Sequence, residues 1–436
     1  MSKQSYPTYQ PDSPATVLWF ALSPFIACTV AGLLWFVWYI RPLDVTKEFG
    51  VQRPQTAAVQ PNAAVFYGQA FEKFLASGSS AEPVSWVLDH TGKGEEADTP
   101  QRYPLAQKQR WIERNREAFA LLDKAANTPA YSLRLLAPSS FMGDFQSRRM
   151  SLLARFSFIR SEAWTAEQKY EQSVQNALDI WKMGLRMQTV DSYSTARIGM
   201  GIEGFAQKAL DKNIEFLTAG QARQTIKQLE EIGTLRPTIQ ELIHAEYANQ
   251  MLHLERSVKF QVTKNSFYTL PLSQFRFPLS GLASRRQARE FHALAKPMLD
   301  STELPWSQWS RRPPSYSLDM RWEMEPIRSA STDGRYFQAR YATRYNLTLA
   351  QLALLAYHKE HGSYPATIKE LVPGYLTKMP TDTFADEKPV RYRRVGQQYE
   401  LSSLEPNREY GSEEPLVPPR RPPGFRGGPP TGFNHN

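Results

Sequence analysis

His358 and His361 stand one helical turn apart with Glu360 between them, a spacing that could hold a metal ion if a third ligand joined. The plainer reading is that His361 precedes a C-capping glycine, Gly362, where a cation suits the negative end of a helix. No third ligand stands nearby in the sequence. His244, Glu246 and His253 share another helical stretch, but nine residues separate the two histidines, so they face different sides. Asp89-His90 has the form of a base beside an orienting acid, yet no G-x-S-x-G accompanies it. A solvated loop is the simpler reading. These patterns name no catalytic residue, no cofactor-binding residue and no metal ligand.

Phosphate-cradling motifs are missing too: there is no G-x-x-x-x-G-K-[ST] and no G-x-G-x-x-G. Gly199, Gly201 and Gly204 lie inside a helical pattern rather than after a strand, and read as points of close helix–helix approach. Arg285, Arg286, Arg289 and Lys296 form either a basic face for anionic lipid or an ordinary solvated helix face. The run Pro418-Pro419-Arg420-Arg421-Pro422-Pro423 resembles a polyproline ligand with basic flanks, or else a solvated extension. Net charge is +9, but 52 Lys and Arg are dispersed among 43 acids, so a basic surface is expected and no nucleic acid. The single cysteine, Cys28, leaves the rest of the chain without a disulfide, a thiolate metal site or a cysteine nucleophile.

The element that must position everything else is Val17 to Ile40, twenty-four residues without a charge. A helix of that length covers the roughly 30 Å hydrocarbon core of a bilayer. Trp19 near one end and Trp35, Trp38 and Tyr39 near the other suit the headgroup region. The run is too long for a signal peptide, and Tyr39-Ile40-Arg41-Pro42 is a poor cleavage site. One membrane pass and contact with membrane lipid are expected. Flanking charge (Lys3 against Arg41, Lys47 and Arg53) leaves orientation open, because long domains are translocated regardless.

Around this anchor the chain divides as follows. Residues 1–16 form a polar tail, 17–40 the transmembrane helix and 41–61 a proline-marked linker. Residues 62–262 read as a helical-hairpin domain, beginning with Asn62 as N-cap of a helix over Ala63 to Ala76. Ile112, Phe119, Leu122 and Ala126 mark one helix, and Leu152, Phe156, Ile159 and Ala163 the next, with Thr165 as a cap for its successor. Tyr170, Val174, Leu178, Trp181 and Leu185 follow at helical period, then Ile198, Ile202, Phe205 and Ala209, then Ala222, Ile226 and Leu229. After Pro237 comes the longest stripe, through Ile243, Tyr247, Met251, Leu254 and Val258. Short connections imply antiparallel neighbours of tetratricopeptide-like geometry. Residues 263–330, rich in aromatics and proline, read as an irregular segment around a short helix at about 281–295. Residues 331–414 carry a buried helix from Asp333 to about Ala356 and a hairpin over 391–404 turning at Gly396-Gln397. Residues 415–436 are a disordered Pro/Gly/Arg tail. The fold class is thus mainly α, with a small α+β C-terminal module.

Between Leu347 and Leu404 the sequence resembles the soluble end of type II secretion major pseudopilins. The matching parts are His361-Gly362 at a helix end, the Tyr364-Pro365 turn, the corner Pro380-Thr381-Asp382-Thr383-Phe384, and Lys388-Pro389-Val390-Arg391-Tyr392 opening a hairpin. Together with Asn62-Ala63-Ala64 and the W-x-x-x-N-R-E-A stretch from Trp111 to Ala118, the chain is similar to a group of uncharacterised bacterial membrane-anchored helical proteins. That resemblance implies a bulk outside the cytoplasm. Polymerising pilin-type subunits carry a Gly before the apolar helix and a Glu within it. No Gly precedes Val17 and residues 17–40 hold no Glu, so neither prepilin cleavage nor assembly is expected. Leu404-Glu405-Pro406-Asn407 does not match the acid-rich calcium loop of some pseudopilins.

Three functions fit. The first is an envelope interaction or scaffold protein, not an enzyme, whose helical domain offers grooves to a protein or peptide partner. The second is a hydrolase using carboxylates, and the third a secretion-system accessory protein.

Overall fold

The computed structural model describes residues 26–33, 43–52, 61–77, 104–132, 140–189, 192–265, 277–309 and 321–405. Among these the protein is mainly helical, with two small antiparallel strand pairs. The tail 1–16, Asp89-His90 and Pro418–Pro423 lie outside the described residues. So does most of Val17–Ile40; within it 26–33 is helical, with Ile26, Val30 and Leu33 about half exposed and Cys28 free. No helix of the described residues is long and apolar enough to cross a membrane.

Helix α1, Val45–Phe49, departs from the expected linker. Asp44 accepts from Lys47 N at 3.2 Å to start it, and Gly50 at φ 68° ends it, as left-handed caps do. Leu43, Val45 and Val51 are buried. Apolar residues on both sides of a capped turn give this short helix a packing surface that the flanking Pro42 and Pro54 disguise.

Helix α2, Ala63–Ala76, starts where expected: Asn62 accepts from Ala64 N at 3.0 Å and donates to Ser132 O at 2.8 Å. One stripe was expected over Ile112 to Ala126, and two helices are found, α3 (Leu105–Arg114) and α4 (Arg116–Asn127). Asn115 breaks the run, since its side chain donates to Trp111 O at 2.8 Å and accepts from Ser77 at 2.8 Å, competing with helical geometry. Phe74, Trp111, Phe119 and Phe156 pack with ring centroids 4.8–5.7 Å apart.

Helices α5 (Ser140–Ala166), α6 (Tyr170–Gln188) and α7 (Tyr193–Asp211) pack against one another, with α2 and α4 on α5 and α6. Thr165 does not cap α6. Its hydroxyl serves the last turn of α5, reaching Ser161 O at 2.9 Å and Asn213 at 3.0 Å. Arg186 on α6 is buried because its guanidinium donates to Ala125 O at 2.9 Å and to Thr128 O. It thereby caps the carbonyl end of α4, where a cation is favoured. Helices α8 (Ala219–Gly233) and α9 (Ile239–Asn265) both start in reciprocal caps, Thr218 with Gln221 and Thr238 with Glu241.

Helix α10, Phe277–Asp300, replaces the expected short helix. Pro278 sits in its first turn, where no N–H is needed, and Pro297 in its last. Helix α11 (Arg321–Ser329) continues through a π turn, Ala330–Gly334, into α12 (Arg335–His361). Leu347, Leu349, Leu352 and Leu354 on α12 are buried, as an all-round apolar helix requires. Gly362 at φ 71° ends α12, and Thr367 and Glu370 cap the 3-10 turn Ile368–Leu371. Strands β1 (Thr381–Asp382) and β2 (Lys388–Pro389) pair, as do β3 (Arg391–Val395) and β4 (Gln398–Ser402) around the Gly396-Gln397 turn.

By its contacts the described chain falls into two units. One comprises Met1–Arg53 and Gln250–Ala293, the other Pro54–Asn249 and Leu294–Asn436. In the second, one continuous core runs from Ala63 and Tyr67 through Trp181 to Leu352, Ile368 and Leu401. The pseudopilin-like stretch therefore shares its hydrophobic core with the helical hairpins.

Candidate functional site

Helices α6 and α7 approach so closely at two glycines that a β-carbon on Gly184 would stand 2.7 Å from Gly199 O and 3.0 Å from Glu203 N. Glu203 is one turn beyond Gly199 on the same face and is 1% exposed. Its carboxylate accepts from Trp181 Nε1 at 2.7 Å and Gln188 Nε2 at 2.5 Å, both on α6. Arg236, just after α8, adds a forked pair at 3.1 and 2.5 Å. Tyr345 of α12 closes the group: its ring lies 5.9 Å from Trp181 and beneath Arg236, and its hydroxyl donates to Leu229 O at 2.9 Å. Burial holds that phenol far above its usual range.

A carboxylate with four donors has no lone pair to offer a substrate proton. Glu203 is a strong acceptor that ties α6, α7 and the end of α8 together.

Asp382 and Glu405 are two further buried acids, each 1% exposed. Asp382 accepts from Phe384 N at 3.0 Å, Leu404 N at 2.7 Å and Thr343 Oγ1 at 3.3 Å. It thereby folds the corner between β1 and the end of the hairpin against α12. Glu405 lies 2.7 Å from Arg340 Nε and 3.7 Å from Arg344 Nε. Burial raises its pKa, Arg344 and Arg340 oppose that rise, and Asp382 adds to it. Asp382 is engaged in holding chain, whereas Glu405 is buried beside two arginines and its Oε2 has no hydrogen-bond partner among the described residues.

A third, exposed group joins α8 to the C-terminal module. Arg223 donates to Glu360 at 2.7 and 2.8 Å and to Gly374 O at 2.8 Å, and lies 4.0 Å over the Tyr375 ring. Tyr375 donates to the same carboxylate at 2.5 Å. These two hydrogen bonds, Arg223's first, hold Glu360 down to about 2.

The described residues singled out in the sequence have these places. Glu360 belongs to Arg223, His361 stacks on Tyr357 at 4.2 Å, and His358 stacks on Tyr364 at 4.3 Å. His361 Nδ1 also meets Tyr357 O at 3.0 Å, at the capped helix end. His244 and His253 are exposed, whereas Glu246 is buried and accepts from Tyr193 N at 2.7 Å, at the positive end of α7. Gly199 makes the expected close approach, and Gly204 meets only Tyr341 at 3.5 Å. Gly201 is exposed, with nothing within 4 Å: it points away from α6. Arg285 is no part of an open basic face, being buried with Glu48 at 3.1 Å; Arg286, Arg289 and Lys296 are exposed. Among the described residues no group of three or more His, Cys, Asp or Glu is placed to hold a metal.

Sequence reasoning missed Glu203, Arg236 and Arg223; it named Asp382 only as part of the Pro380–Phe384 corner and Glu405 only in the Leu404–Asn407 stretch. One signal was available: Gly199 and Glu203 are four apart, so a close approach at the glycine also buries the acid. Comparison with protein-family models, curated proteins and solved structures finds no match to this chain.

Proposed function

We propose that the protein is a membrane-tethered interaction or scaffold protein of a bacterial envelope. Val17–Ile40 anchors it, and the bulk of the chain lies outside the cytoplasm. The observation that carries this reading is the capped segment Leu43–Val51, which begins three residues after Ile40 and buries Leu43, Val45 and Val51. A chain that orders itself so soon after an apolar run keeps this segment close to the bilayer rather than on a loose leash. Glu203, Glu246 and Asp382 are each occupied by structural donors, which supports a binding role over carboxylate hydrolysis. The helical residues 62–262 would take a protein or peptide partner.

A second reading, as a secretion-system accessory protein, is favoured by one feature. From Gly362 through the Asp382 corner to the two-residue hairpin turn, the parts stand in the order the pseudopilin resemblance names.

Topology tests the first reading. In a Cys28→Ser background, a cysteine at the exposed Lys227 is probed with an impermeant maleimide on cells with a permeabilised outer membrane. Labelling before lysis is expected; protection until lysis places the bulk inside and overturns it. Release of the chain by alkaline carbonate would remove the anchor itself.

A further inference from the structure

We infer that the face of α10 bearing Arg286 and Arg289 seats on the anionic phospholipid headgroups of the membrane surface. This rests on the tether reading above and adds a second point of membrane contact to it.

Three residues lead from Ile40 to Leu43, a reach of at most about 11 Å. Leu43 is buried, so the chain leaving the bilayer is at once held in the packed segment that ends at Val51. Within the same unit that segment is fastened to α10: Glu48 pairs with Arg285 at 3.1 Å, and the rings of Phe49 and His292 lie 5.4 Å apart. The start of α10 is therefore confined near the point where the chain emerges. Seating on the surface would bring the arginines inside the headgroup field, which decays over roughly 8–10 Å at physiological salt.

Charge decides what the face meets there. Glu48 neutralises Arg285, but Arg286 and Arg289 are exposed and three residues apart, on one face of the helix. Along the sequence from Arg256 to Arg289 there are seven Lys and Arg and no Asp or Glu. The first acid after that run is Glu290, half-buried and one helical turn from Arg286, which leaves the face one net positive charge. On α1, Lys47 is exposed beside Asp44 at 3.8 Å. Two adjacent guanidinium groups present paired donors that match phosphate oxygens.

The test uses the full chain with Cys28→Ser and a single cysteine at the exposed Gln287, carrying an environment-sensitive fluorophore. The chain is placed in vesicles of phosphatidylcholine, alone or mixed with phosphatidylglycerol, with a headgroup-level spin-labelled lipid as quencher. Quenching is expected to rise with phosphatidylglycerol and fall in high salt. It should fall in R286Q/R289Q, by about fivefold in the ratio of seated to unseated probe per arginine. R286K/R289K should retain it, which separates charge from folding. Quenching indifferent to phosphatidylglycerol or to R286Q/R289Q overturns the inference. Flotation with neutral vesicles after alkaline wash reads the tether separately. A chain that floats without phosphatidylglycerol-dependent quenching keeps its anchor and loses this seat.

Discussion

Gly184 and Gly199 face each other across α6 and α7, each carbonyl occupying the space where the other's β-carbon would go. That contact brings Glu203 within bonding distance of Trp181 and Gln188, so backbone proximity and a buried charge depend on each other. An added methyl here must push two backbones apart, because no side chain stands ready to rotate away. Gly184→Ala or Gly199→Ala is expected to cost about 1–3 kcal/mol. Gly201→Ala, on the exposed face of the same helix, should be neutral or stabilise by up to about 1 kcal/mol. Urea unfolding of the three variants decides it. Equal effects at Gly199 and Gly201 would show that the helices do not touch there.

Arg236→Met removes two of the four donors to Glu203 and leaves a buried carboxylate short of compensation. A loss of about 3–5 kcal/mol is expected. Pairing it with Glu203→Gln in a double-mutant cycle should recover part of that loss, since the second change removes the stranded charge. Strict additivity would mean that the two side chains act independently.

Asp179 on α6 gives a pH dependence with a definite sign. Burial pushes its pKa up to about 6. A carboxyl raised in the folded state contributes most below its unfolded pKa, and the contribution is lost as pH rises through the folded value. Stability should therefore fall between about pH 4 and pH 6 on this account. Asp179→Asn should abolish that fall and add about 1 kcal/mol at pH 7.5, a discounted figure because the side chain is partly exposed. Denaturant midpoints at pH 4.5 and 7.5 give the comparison, and an Asn variant weaker at both would refute it.

Glu360 has the opposite sign. Its pKa is held down to about 2 by Arg223 and Tyr375. The stabilisation is present above the unfolded pKa and disappears as pH falls through the folded one. With both partners about a third or more exposed, the pair is worth only about 0.5–1 kcal/mol. Arg223→Met should lower stability by that amount at pH 7 and by less near pH 2, where the bond to Gly374 O persists and the ionic part is being lost. The loss should track looser docking of the 362–376 turn, read by amide exchange at Gly374 and Tyr375.

The C-terminal stretch is expected not to fold alone. Leu347, Leu352 and Leu354 of α12 belong to the same core as Ile226 and Leu229 of α8. Tyr345 bonds to Leu229 O, and Thr377 to Glu230 at 2.8 and 2.6 Å. A fragment of residues 331–414 would expose that apolar face. Dispersed amide resonances from the isolated fragment would overturn the expectation.

Local rules in the sequence settled most of the elements. Asn62, Gly362 and Gly396-Gln397 mark a helix start, a helix end and a hairpin turn, because caps and tight turns are made by neighbours along the chain. The apolar stripes of α6, α7 and α8 likewise reported which faces are buried, since one period governs a whole helix. What only the tertiary structure decided was where charge is buried. Glu203, Arg186 and Asp382 find their donors and acceptors on elements 15 to 61 residues away, and no periodicity encodes a partner at that distance. The same holds for Leu43–Val51: the prolines flanking it and its short length read as linker, and it becomes structure because α10, more than two hundred residues on, offers Arg285 to Glu48. Position along the chain specifies a helix; the desolvation of an ion specifies its partner only once the helices have met.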